Sequence, residues 1–376
     1  MAQTSARYLE LVSGKKRSPL HGLARAILTP PSWAYQSIIA ARNAWYDTVG
    51  FAAHRVDRPV ISIGNITVGG TGKTPMTAKV ASHLVKCGHR VAILARGYKG
   101  GSIPFDEESR DAAVAQLSAS SDEARVLKRR CPKAQVYLNA NRSASADKAI
   151  EDGADCLLLD DGFQHRRVAR DLDIVLIDAT NPFGHGHLLP RGLLREPLSS
   201  LRRAGMIVIT RSDEVSEAAL AEVRRVVTSA SGGKPVVDAT QQITGYLDVK
   251  GRPVDGADTS SMQAVIFAGI GNFASFRRCV ERLGVRVLAA YEFPDHHYYT
   301  SEEIEGLTDT AQSLEANALL TTEKDAVKLV GRWKDERAKL LVLNLEIQLK
   351  GDGEAVLGEA VERALSAKAT TPAPPP

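Results

Sequence analysis

Val60-Ile-Ser-Ile-Gly-Asn-Ile-Thr67-Val68-Gly69-Gly70-Thr71-Gly72-Lys73-Thr74 is the stretch that decides the reading of this chain. The apolar run Val60 to Ile63 predicts a short buried strand. A glycine-rich turn follows, then Lys73-Thr74, then Pro75 and a segment from Met76 to Val85 whose apolar positions recur at helical spacing. Strand, glycine turn, Lys-Thr and helix is the layout of a phosphate cradle. Glycine lets successive amides turn inward without a Cβ clash, and the helix N-terminus adds partial positive charge. In that layout residues 67 to 74 line the nucleotide. Lys73 reaches the outer phosphates, and Thr74 offers its hydroxyl to Mg²⁺. The usual pattern has glycine where this chain has Thr67. The competing reading is an ordinary glycine turn, and the flanking strand and helix argue against it.

Working outward, Arg90 to Ala95 predicts a second strand, with Arg96 at its carboxyl end. Ligands of open parallel sheets sit beyond such ends, so Arg96 is placed to face phosphate or, equally, solvent. Ala154 to Asp160 is a further buried strand, and it runs into Asp160-Asp161-Gly-Phe-Gln164-His165. In phosphate-loop enzymes an acid at a strand end completes the Mg²⁺ shell. Two adjacent acids followed by Gln and His are costly to gather without a cation or a reaction to serve. Residues 173–178 and 205–210 predict two more buried strands. The glycine-rich loop between them carries Arg191, Arg195 and Glu196, and its two arginines suit an anionic substrate group. Residues 118–130 begin with serines and Asp122 and end in Lys128-Arg-Arg130, the charge order of a helix. On that pattern alone Asp122 is a helix-start residue.

The 376 residues suggest two domains, and 44% hydrophobic content allows a sizeable core. Four scattered cysteines argue against a disulfide framework or zinc site and for a reducing compartment. No apolar run reaches membrane-spanning length, and no secretory signal pattern opens the chain. The net charge is only +4, yet residues 1–58 carry eight Lys/Arg against three Asp/Glu. That segment includes Lys15-Lys16-Arg17, and it places Ile38, Ala41, Trp45 and Val49 on one helical face. Basic residues with interfacial aromatics fit a helix lying on an anionic membrane; packing of the aromatic face on the protein body is the equal alternative. Nothing in the pattern suggests nucleic acid.

Thr67 to Thr74, Asp160 to His165, Leu194-Arg-Glu-Pro197 and Phe293-Pro-Asp-His296 occur in one order. Together they resemble tetraacyldisaccharide 4′-kinase, the lipid A kinase of Gram-negative bacteria, over about residues 15 to 345. That family also has a small hydroxyl residue at the position of Thr67, whereas Arg191 stands where a small residue is expected. The resemblance implies an α/β fold: a P-loop NTPase-like parallel-sheet domain joined by a β linker to a smaller α/β domain, with the reaction in the cleft. It implies transfer of the γ-phosphate of MgATP to the 4′-hydroxyl of a tetraacylated glucosamine disaccharide 1-phosphate. By motif position Asp122 and His296 resemble a paired base, and Lys73 neutralises charge at the β/γ oxygens. Asp160, Asp161 and Glu196 join Thr74 around the metal. Arg96, Gln164, His165, Arg191 and Arg195 fall to substrate binding.

The expected organisation is a basic, membrane-associating segment at 1–58, the kinase domain at 59–240, the smaller domain at 241–350, and a helix with a Pro-rich tail at 351–376. A peripheral, monomeric enzyme on the cytoplasmic face of the inner membrane is expected. The rival readings are a P-loop kinase of a soluble sugar or nucleoside, and a membrane-docked ATPase switch with no lipid acceptor.

Overall fold

The apolar runs read above form strands whose two faces are both buried, as an all-parallel sheet requires. In the computed structural model the described residues are 2–14, 18–48, 53–97, 119–256, 259, 261–333 and 337–369. Lys15 to Arg17, Val49 and the tail 370–376 lie outside them. The chain divides into two units, the larger holding residues 3–109, 131–241 and 347–376.

In the larger unit the strands are β1 (Val60–Asn65), β2 (Val91–Ala95), β3 (Gln135–Leu138), β4 (Cys156–Asp160), β5 (Leu172–Asp178), β6 (Met206–Thr210) and the first half of β7 (Val236–Leu247). They lie in the order β7-β6-β5-β1-β4-β2-β3, and their pairings are parallel. β1 is therefore central, flanked by β4 and β5, so its carboxyl end sits where the sheet order switches. The helices are α1 (Ala2–Ser13), α2 (Pro19–Thr48), α3 (Lys73–Lys86), α5 (Arg142–Glu151), α6 (Glu217–Ser231) and α10 (Gly353–Ala369). α3 packs on β1, β2 and β4, while α10 packs on β1 and β5. Asn141 caps α5 by accepting from the amides of Ser143 and Ala144.

The smaller unit is built on residues 242–346. Its strands β9 (Gln263–Ala268), β10 (Arg286–Glu292), β11 (Ala318–Thr322) and β12 (Leu340–Leu349) are parallel in the order β10-β9-β11-β12. The short β8 (Pro253–Val254) pairs antiparallel with the end of β7. α7 (Phe273–Arg282), α8 (Ser301–Ser313) and α9 (Glu323–Leu329) complete the unit together with α4 (Ala119–Arg130). The linear division placed residues 119–130 in the kinase domain. Instead, Arg130 of α4 pairs with Glu323 and donates to the carbonyl of Leu345 at 2.6 Å. The expected β linker is two strands: β7 leads into the smaller unit after Gln241, and β12 leads back after Glu346. Among the described residues no helix is long and apolar enough to cross a membrane.

Candidate active site

The glycine loop is shaped by what holds its carbonyls. Arg211 Nη2 donates to the carbonyl of Gly70 at 2.7 Å, and Thr210 Oγ1 donates to that of Thr71 at 3.0 Å. Asn65, at the end of β1, donates to Thr71 Oγ1 at 3.0 Å. With carbonyls drawn toward β6, the intervening amides face the opposite way, the geometry of an anion nest. Gly72 takes φ +90° and forms the N-cap of α3 without a side-chain cap, so Lys73 and Thr74 occupy the helix's first turn. Thr67 and Val68 are held from the other side: Val68 N donates to Leu193 O at 2.8 Å, and Arg195 N to Ile66 O at 2.7 Å.

The two acids at the end of β4 have different surroundings. Asp160 is buried, and Thr77 Oγ1, one turn beyond Thr74 on α3, donates to its Oδ1 at 2.8 Å. Asp161 takes a left-handed backbone, φ +49°, and has partners of its own. It lies 3.6 Å from Lys73 Nζ and accepts from Arg195 Nη1 at 3.1 and 3.0 Å. Burial alone would raise its pKa, but Lys73, Arg195 and Arg142 overcome that and hold it at about 2. The turn lies against β1 because two glycines permit it. A Cβ on Gly64 would stand 2.6 Å from Phe163 Cβ, and one on Gly162 would stand 2.6 Å from Ser62 Oγ. Gln164 Nε2 donates to Asn65 O at 2.8 Å, and Arg195 donates to Gln164 Oε1 at 3.4 Å. Burial first, then the charges of Arg142, Arg167, Arg170 and Arg96, push His165 down to about 4, so its imidazole is neutral at pH 7. Its Nε2 is buried and has no hydrogen-bond partner among the described residues.

A hydroxyl on the first turn of α3 and a buried carboxylate fixed to the next turn are hard oxygen donors. They suit an ion that also takes phosphate oxygens and water, and Mg²⁺ is such an ion. Thr74 and Asp160 would hold it.

In the smaller unit, Asp122 on α4 and His296 meet although 174 residues separate them, with Nδ1 of His296 3.4 Å from Asp122 Oδ2. Asp122 is buried, and its side chain faces the imidazole rather than capping its own helix. His296 sits in a tight turn with φ +62°, its amide donating to Gly269 O at 3.2 Å. A Cβ on Gly269 would stand 2.8 Å from Pro294 O, so glycine is what lets this turn close on β9. His297, next in the chain, stacks on Phe293 and holds Glu303 at 2.9 Å.

The comparisons with known proteins bear on the fold and the family. A family model described as tetraacyldisaccharide-1-P 4′-kinase matches residues 24–366. The chain belongs to the tetraacyldisaccharide 4′-kinase family. A relative of that name from Anaeromyxobacter sp. (strain K) is 40% identical over 98% of each chain. Another, from Syntrophus aciditrophicus, is 38% identical over 84% of this chain and 86% of its own. Among solved structures, LpxK from Aquifex aeolicus in complex with ATP matches with a TM-score of 0.70 and 29% identity. The match covers 91% of this chain and 99% of that one. The P-loop-like α/β fold and the family resemblance expected from sequence are thereby borne out.

Within this kinase family fold, some site expectations need revision. Glu196, expected beside the metal, is fully buried and its acceptor positions are taken. Oε2 accepts from Asn43 at 2.8 Å and Ser200 at 2.9 Å, Arg203 Nη2 reaches both oxygens at 3.0 and 3.2 Å, and Arg42 lies 3.3 Å from Oε1. A carboxylate has about four lone-pair sites, so none is left for a cation. Glu196 is an anchor that ties α2 to the loop carrying Arg195. Tyr35 on α2 adds a bond to the Arg195 carbonyl at 3.0 Å, and Ser32 one to Leu188 O at 2.8 Å. Arg191 stands by α1, where Tyr8 donates to Pro190 O at 2.9 Å. Burial and then Arg25 disfavour the charge of Arg191, so two cations share that corner. Arg96 is exposed at the end of β2 and lies close enough to Arg142 to disfavour the latter's charge.

Sequence reading missed three residues of this site. Arg142, buried in the first turn of α5, donates to the backbone carbonyl of Asp161 at 3.1 Å. Its signal was present in Asn139-Ala-Asn141-Arg142, a polar run at the carboxyl end of β3. Thr77 looked like one more helix residue. Arg211 follows β6 directly, and its ion pair with Asp178 fixes it beneath the glycine loop.

Proposed function

We propose that this kinase moves the γ-phosphate of ATP to the 4′-hydroxyl of a tetraacylated glucosamine disaccharide 1-phosphate, a step of lipid A biosynthesis. Asp122 accepts the hydroxyl proton, the oxygen attacks the γ-phosphorus, and the bond to the β-phosphate oxygen breaks to release ADP. The observation that carries the reading is the Asp122–His296 contact, a carboxylate and an imidazole brought together across 174 residues of sequence. A sugar hydroxyl is a poor nucleophile, and a carboxylate oriented by an imidazole is a suitable base for it. The glycine-loop amides and Lys73 bind the triphosphate and stabilise charge as it shifts toward the leaving oxygen. Thr74 and Asp160 would hold Mg²⁺, which would supply positive charge to offset that of the phosphates. Asp161 orients Lys73, and Arg195 holds Asp161 in its ionised form. Gln164, His165 and Arg96 border the substrates, and Arg25 with Arg191 suits an anionic group of the lipid.

The substrate's acyl chains keep it in a membrane, and α2 fits that need. Over its 30 residues, roughly 45 Å of helix, Leu20, Leu23, Ile27, Ile38 and Trp45 fall on one stripe and are each at least 60% exposed. The opposite side, with Ser32, Tyr35, Ile39 and Asn43, faces the protein body. The face that carries Ile38 and Trp45 is thus not the one that packs on the body, which favours the membrane reading of the basic segment. The enzyme works as a peripheral protein on the cytoplasmic side of the inner membrane, where ATP is available.

The test is direct. The full chain is incubated with γ-labelled ATP, Mg²⁺ and a detergent-dispersed tetraacylated disaccharide 1-phosphate. A labelled bis-phosphate is expected, with little ATP turnover until acceptor is added. Acceptor-independent hydrolysis without labelled lipid would defeat the proposal.

A further inference from the structure

Lys324 stands outside the machinery described so far. It lies in the first turn of α9, and its ammonium meets three groups. Nζ is 3.1 Å from His296 Nε2, 3.0 Å from Asp295 Oδ1 and 3.9 Å from Glu123 Oε1. An ammonium has three protons to donate and no lone pair. The two acids it holds are the sequence neighbours of the dyad: Glu123 follows Asp122, and Asp295 precedes His296. One cation therefore clips α4 to the turn that carries the imidazole.

The contact with the ring has a chemical consequence. A nitrogen 3.1 Å from an ammonium must be the acceptor, so Nε2 of His296 carries the lone pair. The ring proton then sits on Nδ1, the nitrogen that faces Asp122 Oδ2. We infer that Lys324 is a positioning residue of this kinase: it fixes His296 as the Nδ1–H tautomer donating to Asp122, and it aligns the two elements that carry the pair. The inference rests on the reading of Asp122 and His296 as the base. With Nδ1 donating and Nε2 accepting, His296 has no lone pair to offer the substrate, and Asp122 takes the proton.

The base of α9 is rigid enough to hold such a clip. Asp325, fully buried, accepts from Thr322 Oγ1 at 2.7 Å, Lys328 Nζ at 2.8 Å, Tyr299 Oη at 2.9 Å and Gly269 N at 3.1 Å. Lys328 in turn lies 4.0 Å from Asp122 Oδ2. The two lysines are one helical turn apart on one face of α9, each beside one member of the pair.

The experiment uses the full chain with ¹⁵N-labelled histidine, and the His296 signals are identified by their loss in His296→Asn. In the wild type, Nδ1 is expected to show the protonated, pyrrole-type shift and Nε2 the pyridine-type shift. In Lys324→Met the pattern is expected to move toward the other tautomer, because Asp295 Oδ2 at 3.9 Å is then the nearest partner of Nε2. In the lipid kinase assay Lys324→Met is expected to lose between about tenfold and about a hundredfold in kcat, the range for a misplaced base. KM for ATP is expected to stay within about twofold of wild type, and Lys324→Arg, which keeps the donors, is expected to recover part of the rate. A wild-type His296 protonated on Nε2, or an unchanged ring pattern together with an unchanged kcat in Lys324→Met, overturns the inference. If Asp122→Asn and His296→Asn keep full activity, the base reading itself fails, and the ring shifts still report whether Lys324 sets the tautomer.

Discussion

Glu196→Ala separates an anchor from a metal ligand. The wild-type carboxylate is fully buried, and Arg203, whose side chain is 17% exposed, lies over the Phe163 ring at 4.4 Å with Glu196 as its close acid. Removing one partner of a buried ion pair costs roughly 3–5 kcal/mol, because the other charge is left without compensation. Arg203 retains some solvent and a weaker attraction from Asp173, which argues for the lower end, about 3 kcal/mol. For a unit of this size that corresponds to a fall in melting temperature of about 6–12 °C. Glu196→Gln keeps acceptors for Asn43 and Ser200 and is expected to lose about half as much. Calorimetry on the full chain reads the shift, and a Mg²⁺ titration of ATP turnover on the same samples reads metal dependence. Near-normal melting combined with a Mg²⁺ requirement raised tenfold or more would refute the anchor and restore the metal ligand. The anchor also has a pH signature. Burial would raise the Glu196 pKa, but Arg203, Asn43, Arg42 and Ser200 hold it below its ordinary value. Its stability contribution is thus present above the unfolded pKa and lost as pH falls toward the folded one.

Gly64→Ala is expected to destabilise by about 2–3 kcal/mol in urea unfolding, because its new Cβ would meet the backbone of Phe163 at 2.7 Å and rigid backbone cannot yield. His165, held at about 4 against an ordinary 6.5, binds its proton more weakly in the fold, so it should make stability fall as pH drops from 6.5 to 4; His165→Gln should flatten that slope in a melting series. Ile27→Glu and Ile38→Glu, at exposed positions on α2, should weaken sedimentation with anionic vesicles several-fold and leave melting nearly unchanged; equal vesicle binding would remove the membrane role of this face. Asp122→Ala and His296→Ala should each remove most of kcat, and the double variant should be little worse than the poorer single one; additive losses would contradict a joint role.

How much of this was legible in the sequence depends on how local each signal is. Strand β1, the glycine turn and α3 are continuous in the chain, and their chemistry follows from glycine, lysine and threonine in a fixed order. The end of β4 was legible for the same reason, since an apolar run that stops at two acids states its own boundary. The dyad was not. Asp122 alone has the pattern of a helix start, and only its family resemblance paired it with a histidine 174 residues away. The membership of α4 in the smaller unit explains that blindness: the partners of Asp122 belong to β-strand ends and to α9, which come after residue 262.

Glu196 shows the opposite failure. An acid beside an arginine in a glycine-rich loop reads as solvent-facing chemistry, whereas its real partners, Asn43 and Arg42, come from a helix about 150 residues earlier. That distance has a mechanistic meaning. The face of α2 that holds Glu196 and the Arg195 carbonyl is backed by the apolar stripe proposed to meet lipid, and Arg195 in turn holds Asp161 beside Lys73. On that proposal a single helix would meet lipid with one face and, through two residues of one loop, support Asp161 and Lys73 with the other. Any shift of α2 at a lipid surface that moved the Arg195 backbone would change how Asp161 holds Lys73. Tyr35→Phe removes one of those ties without touching the exposed stripe. If the tie carries such an effect, vesicles should raise the wild-type rate, and the variant should bind vesicles normally and show a smaller gain. An undiminished gain would mean that α2 brings the enzyme to its substrate and does nothing more.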